Sequence, residues 1–203
     1  MSQNRYPGVK PFERTEESIF FGRDRDIEHL YELILLEKLV TLFGKSGYGK
    51  SSLLNAGILP KFEEAAKDSA EYFLPLTIRF GAYVVGKQAT APVERIRQRL
   101  AETLEPSDAM AFIDALSPGP SLWQAFKRRQ SPDHHRFLLI FDQFEELFTY
   151  PPEQQNAFKK QLAELLYAAI PQSIRDRAEA LSEEAYDRLV ARLEVKAVFA
   201  IRS

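Results

Sequence analysis

One continuous run of residues carries the plainest chemistry in the chain: Gly44-Lys45-Ser46-Gly47-Tyr48-Gly49-Lys50-Ser51. It fits the pattern G-x-x-x-x-G-K-[ST] at every fixed position. A polyphosphate needs many N–H donors aimed inward, so the backbone that holds it must curl tightly. Gly44, Gly47 and Gly49 allow positive φ and a close approach of backbone to phosphate. A helix expected to begin at about Lys50 adds free N–H groups and the positive end of its dipole. Lys45, Ser46, Tyr48 and Ser52 fall on the same loop and first helical turn, where they are candidate contacts. The Lys50 ammonium suits the β- and γ-phosphates, and the Ser51 hydroxyl suits Mg²⁺.

A second acidic cluster complements this loop. Asp142 directly follows the wholly apolar run Phe137-Leu138-Leu139-Ile140-Phe141. In a phosphate-loop fold an Asp at such a strand end holds Mg²⁺, usually through water. Glu145 and Glu146 follow shortly, where a carboxylate can orient and deprotonate an attacking water. Glu146 is the first candidate for that base, with Glu145 as the alternative, and Gln143 can also position water. The competing reading is a solvated helix start, where acids are favoured in any case. Arg202 ends the last apolar run. Residues just beyond strand ends of a parallel sheet face the ligand crevice, so Arg202 either meets a γ-phosphate or is an ordinary surface arginine.

Positioning these residues takes alternating elements. The periodicity predicts a helix over 23–37, with Ile27, Leu30, Ile34 and Leu35 on one face, then a buried strand over 39–43 and a helix over 50–56. A strand over 76–80 and helices over 92–104 and 121–129 follow. Residues 137–141, with no polar side chain, read as a strand covered on both faces. Helices are expected over 153–170 and 173–193, with Pro171 between them, and a last strand over 195–201. The alternation predicts an α/β fold, a three-layer α/β/α sandwich with a mainly parallel sheet. Residues 1–22 read as an irregular lead-in and 23–203 as the core.

Composition bounds the remainder. The 203 residues carry a formal charge of -2 and no cysteine, which excludes disulfides and thiol chemistry. There is no global basic field for nucleic acid, no signal-like N-terminus and no apolar run long enough to span a bilayer, so a cytoplasmic protein without membrane contact is the default. The local basic run Lys127-Arg128-Arg129, with His134, His135 and Arg136, reads as a solvated helix end rather than a nucleic-acid contact. The histidines lack metal-ligand spacing, and Trp123 and Phe126 read as core.

Several segments together resemble the STAND class of signalling NTPases, and within it the bacterial novel-STAND group often fused to WD40 repeats. Tyr6-Pro7-Gly8-Val9-Lys10-Pro11-Phe12 looks like that group's lead-in, and Phe20-Phe21-Gly22-Arg23-Asp24-Arg25-Asp26-Ile27-Glu28 its nucleotide-base segment. Residues 44–54 look like its phosphate loop, and Asp142-Gln143-Phe144-Glu145-Glu146-Leu147-Phe148 closely resembles its Walker B segment. Ala200-Ile201-Arg202 resembles its sensor strand. The resemblance implies adenine gripped near Phe20, Phe21, Gly22 and Arg23. It implies ATP or ADP with Mg²⁺ as a switch, and slow hydrolysis resetting a homo-oligomeric signalling protein, in many bacterial relatives one of phage defence. It also implies that a helical subdomain, a winged helix and C-terminal sensor or effector domains belong beyond residue 203, and that turnover by the core alone is weak or absent. The alternatives are a module that holds nucleotide without hydrolysing it, a nucleic-acid-dependent ATPase of AAA+ kind, and, more remotely, a small-molecule kinase.

Overall fold

The computed structural model describes residues 10–68, 72–116, 119–131 and 136–202. The lead-in residues 6–9 and both His134 and His135 lie outside that range. The strands are β1 (Leu39–Gly44), β2 (Leu74–Ile78), β3 (Arg136–Phe141) and β4 (Glu194–Arg202). They form one sheet of order β1-β4-β3-β2 with every pair parallel. All five apolar residues from Phe137 to Phe141 are 0% exposed, as a strand covered on both faces requires.

One face is covered by α1 (Asp24–Leu36) and by the long helix that follows the phosphate loop. That helix starts as α2 (Lys50–Ser52), widens into a π-helical stretch at Leu53–Ile58 and continues as α3 (Leu59–Asp68). Leu30 and Ile34 of α1 and Leu53, Leu54, Ile58 and Phe62 of the long helix pack there on Leu138, Ile140, Val198 and Ala200. The other face carries α4 (Pro92–Thr103), α6 (Leu122–Lys127) and α7 (Pro152–Tyr167) against Leu76, Ile78, Phe137, Leu139, Phe141, Val195 and Ala197. This is the α/β/α sandwich. A smaller cluster joins α5 (Phe112–Leu116) and Trp123 to α8 (Gln172–Arg175) and α9 (Glu183–Val190).

Several expectations need correction. The single helix over 173–193 is three pieces: α8, a 3-10 turn at Ala178–Ala180, and α9. Ser182 starts α9 afresh, its hydroxyl accepting the Ala185 N–H at 3.3 Å, so a local cap overrides the longer apolar stripe. The β2 strand lies two residues earlier than its periodicity suggests, over Pro75. A proline lacks a donor, but β2 is an edge strand, where that is tolerated. The strand over 39–43 is likewise an edge rather than a buried strand, and Leu39, Thr41 and Phe43 are exposed. Among the described residues no helix is long and apolar enough to cross a membrane.

Two buried lysines tie elements together. Lys196 of β4 donates to the Ile34 carbonyl at 2.9 Å and to that of Leu35, closing the C-terminal end of α1, whose last carbonyls lack helical partners. Lys127 is 0% exposed, not solvated, and donates to Ala191 O at 2.6 Å and to Gln130 Oε1. Arg128 is also used internally, pairing with Asp114 at 2.9 Å and donating to Ser107 O, and Arg129 donates to Leu104 O at 2.7 Å. The basic run is therefore largely structural.

Burial pushes the Lys127 ammonium down from 10.5 to about 8. Between those values the unfolded chain binds more protons than the folded one, so stability rises with pH across that window. Chemical denaturation of wild type and Lys127→Met from pH 7 to 10.5 should show wild type gaining on the variant by on the order of 3 kcal/mol. Gly57 sets the approach of α1: a Cβ there would sit 2.7 Å from Ile27 Cγ1. Gly57→Ala should lower stability by about 1–2 kcal/mol, the overpacking exceeding the gain in helix propensity.

Candidate functional site

The strand register brings the chemistry to one edge of the sheet. Gly44 lies opposite Arg202, and Ile78, Phe141 and Phe199 are aligned on neighbouring strands. The residues that follow or end those strands therefore meet at the carboxyl edge, where open α/β sheets bind ligands. The Asp142 N–H donates to Ile78 O at 3.0 Å, which holds the carboxylate in place. Gln143, next in the chain, has φ 57°, a left-handed conformation uncommon outside glycine, and it turns the backbone sharply off β3. The 3-10 segment Phe144–Thr149 follows.

Gly47 and Gly49 adopt φ of 83° and 74°, so the loop needs glycine at both. Gly44 does not: it still belongs to β1. Lys50 Nζ donates to the carbonyls of Gly44 at 2.5 Å and Lys45 at 3.0 Å, folding back across the loop. Ser51 Oγ donates to Asp142 Oδ1 at 2.8 Å. Asp142 is 2% exposed, and a buried carboxylate needs donors or cations. Besides Ser51 it has Arg79, whose Nε donates to Oδ2 at 2.8 Å and whose Nη2 also pairs with it.

A cavity of about 690 Å³ opens on this edge, within the size range of small-molecule sites. Of the residues singled out from sequence, Arg23, Ser46, Gly47, Gly49, Lys50, Ser51, Ser52, Asp142, Gln143, Glu145 and Arg202 line it. Gly44, Lys45 and Tyr48, at and around the phosphate loop, lie outside that lining, as do Phe21 and Gly22 ahead of α1. Phe20 is the aromatic that lines it, whereas Phe21 is 70% exposed. The lead-in adds Lys10, Pro11 and Phe12. The Phe12 N–H donates to Ser52 Oγ at 3.0 Å, and the Phe12 ring lies 5.2 Å from that of Phe20, which anchors this segment beside the loop.

The two glutamates separate. Glu145 accepts the Arg202 N–H at 3.0 Å within the cavity, while Glu146 accepts the Gly81 N–H at 2.8 Å outside the lining. Sequence reasoning missed Arg79. A usable signal was present: strand-end residues face the crevice, but a strand drawn through Phe80 placed Arg79 in its interior.

A parallel sheet with helices on both faces, and a glycine loop between β1 and α2 beside a strand-end aspartate, define a P-loop NTPase. Residues 6–202 match the family described as Novel STAND NTPase 1, and the chain belongs to that family. Nucleotide binding of NTPase type is the function that this membership and the fold support. Among solved structures the chain is similar to the Walker-type ATPase PABY2304 of Pyrococcus abyssi, at 15% identity and a TM-score of 0.53. That likeness, one of fold, covers 95% of this chain and 48% of the archaeal one, so the chain spans about half its length. Comparison with curated proteins gave no match.

Removing the cation from Asp142 tests the site's electrostatics. Arg79→Ala should lower the stability of the nucleotide-free protein by about 1–2 kcal/mol, less than for a fully buried pair because the Arg79 side chain is 47% exposed. Denaturant midpoints measure it, and an unchanged midpoint contradicts the pairing.

Proposed function

We propose that the chain binds ATP with Mg²⁺ and hydrolyses it slowly, as the nucleotide switch of a signalling protein. The observation that carries this reading is the 2.8 Å contact between Ser51 Oγ and Asp142 Oδ1 beside the Gly47–Gly49 loop. A hydroxyl and a carboxylate held side by side are the hard oxygen donors that suit Mg²⁺. When bound, the ion neutralises charge on the β- and γ-phosphate oxygens. On this reading the loop amides of residues 46–51 wrap the phosphates, and Lys50 leaves its carbonyl partners to meet the β/γ oxygens. Arg202 meets the γ-phosphate from the end of β4. Adenine packs near Phe12, Phe20 and Arg23, with Phe21 and Gly22 shaping the turn behind them.

Glu145 is favoured over Glu146 to orient the attacking water, because its carboxylate lies in the cavity. The same contact favours a second reading, in which nucleotide is held without turnover: Glu145 already accepts the Arg202 amide and must be released to act as a base. We further propose that the full-length protein assembles with itself under control of bound nucleotide, with sensor or effector domains beyond this core. A role in phage defence and a cytoplasmic setting fit the family resemblance.

Lys50→Ala should weaken ATP affinity at least about 100-fold in calorimetry, equivalent to about 2.7 kcal/mol; unchanged affinity overturns the assigned pocket. Glu145→Gln should retain ATP and slow single-turnover phosphate release about 100-fold. Slowing by Glu146→Gln alone reassigns the base, and no release by wild type favours the holding module.

A further inference from the structure

A second cavity, of about 380 Å³, is bordered by Arg79, the residue that pairs with Asp142. Its other walls include Arg95 and Arg99 of α4 and the neutral side chains of Asn55, Thr77 and Gln98. Arg95 and Arg99 are four residues apart on one helix, so they stand on the same face. Their Nε atoms are buried and have no hydrogen-bond acceptor among the described residues. Arg95 has no ion pair among the described residues, and Arg99 has only Glu102, at 3.4 Å and largely exposed. Two exposed carboxylates, Glu13 and Glu102, also line it, against the three arginines.

Buried donors without acceptors are rare in folded proteins, and these two Nε–H groups belong to half-buried cations, which an anion suits. The planar fork of arginine matches phosphate oxygens two at a time. We propose that this cavity binds a phosphate oxyanion, free or as the end of a small phosphorylated molecule, and that Arg79 couples it to Asp142. This rests on the reading of Asp142 as the carboxylate that holds the nucleotide's metal.

The coupling follows from competition. Arg79 has one guanidinium and two places for it: the Asp142 carboxylate, where it sits, and the second cavity, which it also lines. An oxyanion beside Arg95 and Arg99 attracts Arg79 and loosens its hold on Asp142. Asp142 and Ser51 are then free to accept a cation. By linkage, a cation at Asp142 releases Arg79 and raises the cavity's affinity for the oxyanion by the same factor. Asn55 belongs to the π-helical stretch that continues from Lys50–Ser52, residues that line the first cavity, so one continuous helix borders both sites.

The test is the Mg²⁺ dependence of binding of a fluorescent ATP analogue, with and without millimolar inorganic phosphate. In wild type, phosphate should lower the half-saturating Mg²⁺ concentration about fivefold or more. In Arg95→Gln, nucleotide affinity without phosphate should match wild type, while the phosphate effect disappears. Arg99→Gln should behave alike and covers poor folding of the first variant. An effect of phosphate that persists in both variants, or simple competition with nucleotide, overturns the proposal. Arginine Nε–H resonances supply a readout independent of nucleotide: those of Arg79, Arg95 and Arg99 should shift on adding phosphate to the unliganded protein, and unmoved resonances overturn the site. Glycerol phosphate in place of inorganic phosphate distinguishes the sources: a matching shift identifies a monoester, and a response to inorganic phosphate alone identifies the free ion. Failure of wild type to bind MgATP would count against the nucleotide reading instead, while the resonances still decide the cavity.

Discussion

A carboxylate that is 2% exposed at the end of a central strand must be compensated, and the need to compensate Asp142 organises the whole carboxyl edge of the sheet. Ser51 reaches it from the first turn after the phosphate loop, and Arg79 from the end of the neighbouring strand. Its own amide is held by Ile78. In the parallel register β2 and β3 end level, Ile78 opposite Phe141, while β1 and β4 run three residues further, to Gly44 opposite Arg202. The packing beneath, with Phe141 stacked on Phe199 at 5.2 Å and both rings close to Phe144, keeps those ends aligned. Burial of apolar side chains on both sheet faces thus serves a few polar atoms at one edge.

The lead-in is part of the same construction. Phe12 is tied to Ser52 and Asn55, and Arg14 pairs with Glu63 at 2.5 Å, so the described lead-in is bound along the helix that begins at the loop. Its aromatic residues Phe12 and Phe20 line the same cavity as Asp142. The π-helical stretch at Leu53–Ile58 lies where these contacts converge, and such widened turns often accompany functional sites. Gly57 within it admits Ile27 of α1 at close range.

Much of this was legible in the residues because the chemistry demands particular side chains. Only glycine readily takes the left-handed backbone at Gly47 and Gly49, and the fully apolar run 137–141 announces its burial. The four strands and most of the helices between them followed from periodicity, but not the continuation of the post-loop helix to Asp68 or the short helix Phe112–Leu116. What escaped depended on tertiary context. Ser182 split a long apolar stripe by capping its own helix, and Pro75 was admitted to β2 only because that strand is an edge. Lys127 looks like surface in a basic run, yet its ammonium is spent on Ala191 O and Gln130. Arg79 was hidden by a boundary error of two residues. The choice between Glu145 and Glu146 depends on which way a 3-10 turn points each side chain, which spacing alone does not determine.

The most direct measurement is a crystal structure with Mg²⁺ and a non-hydrolysable ATP analogue. The proposed site requires the triphosphate inside the 46–51 loop, the Ser51 hydroxyl on the metal, Asp142 beside it within one water, and Arg79 displaced from the carboxylate. Nucleotide bound elsewhere, or a metal site without Ser51 and Asp142, would contradict it.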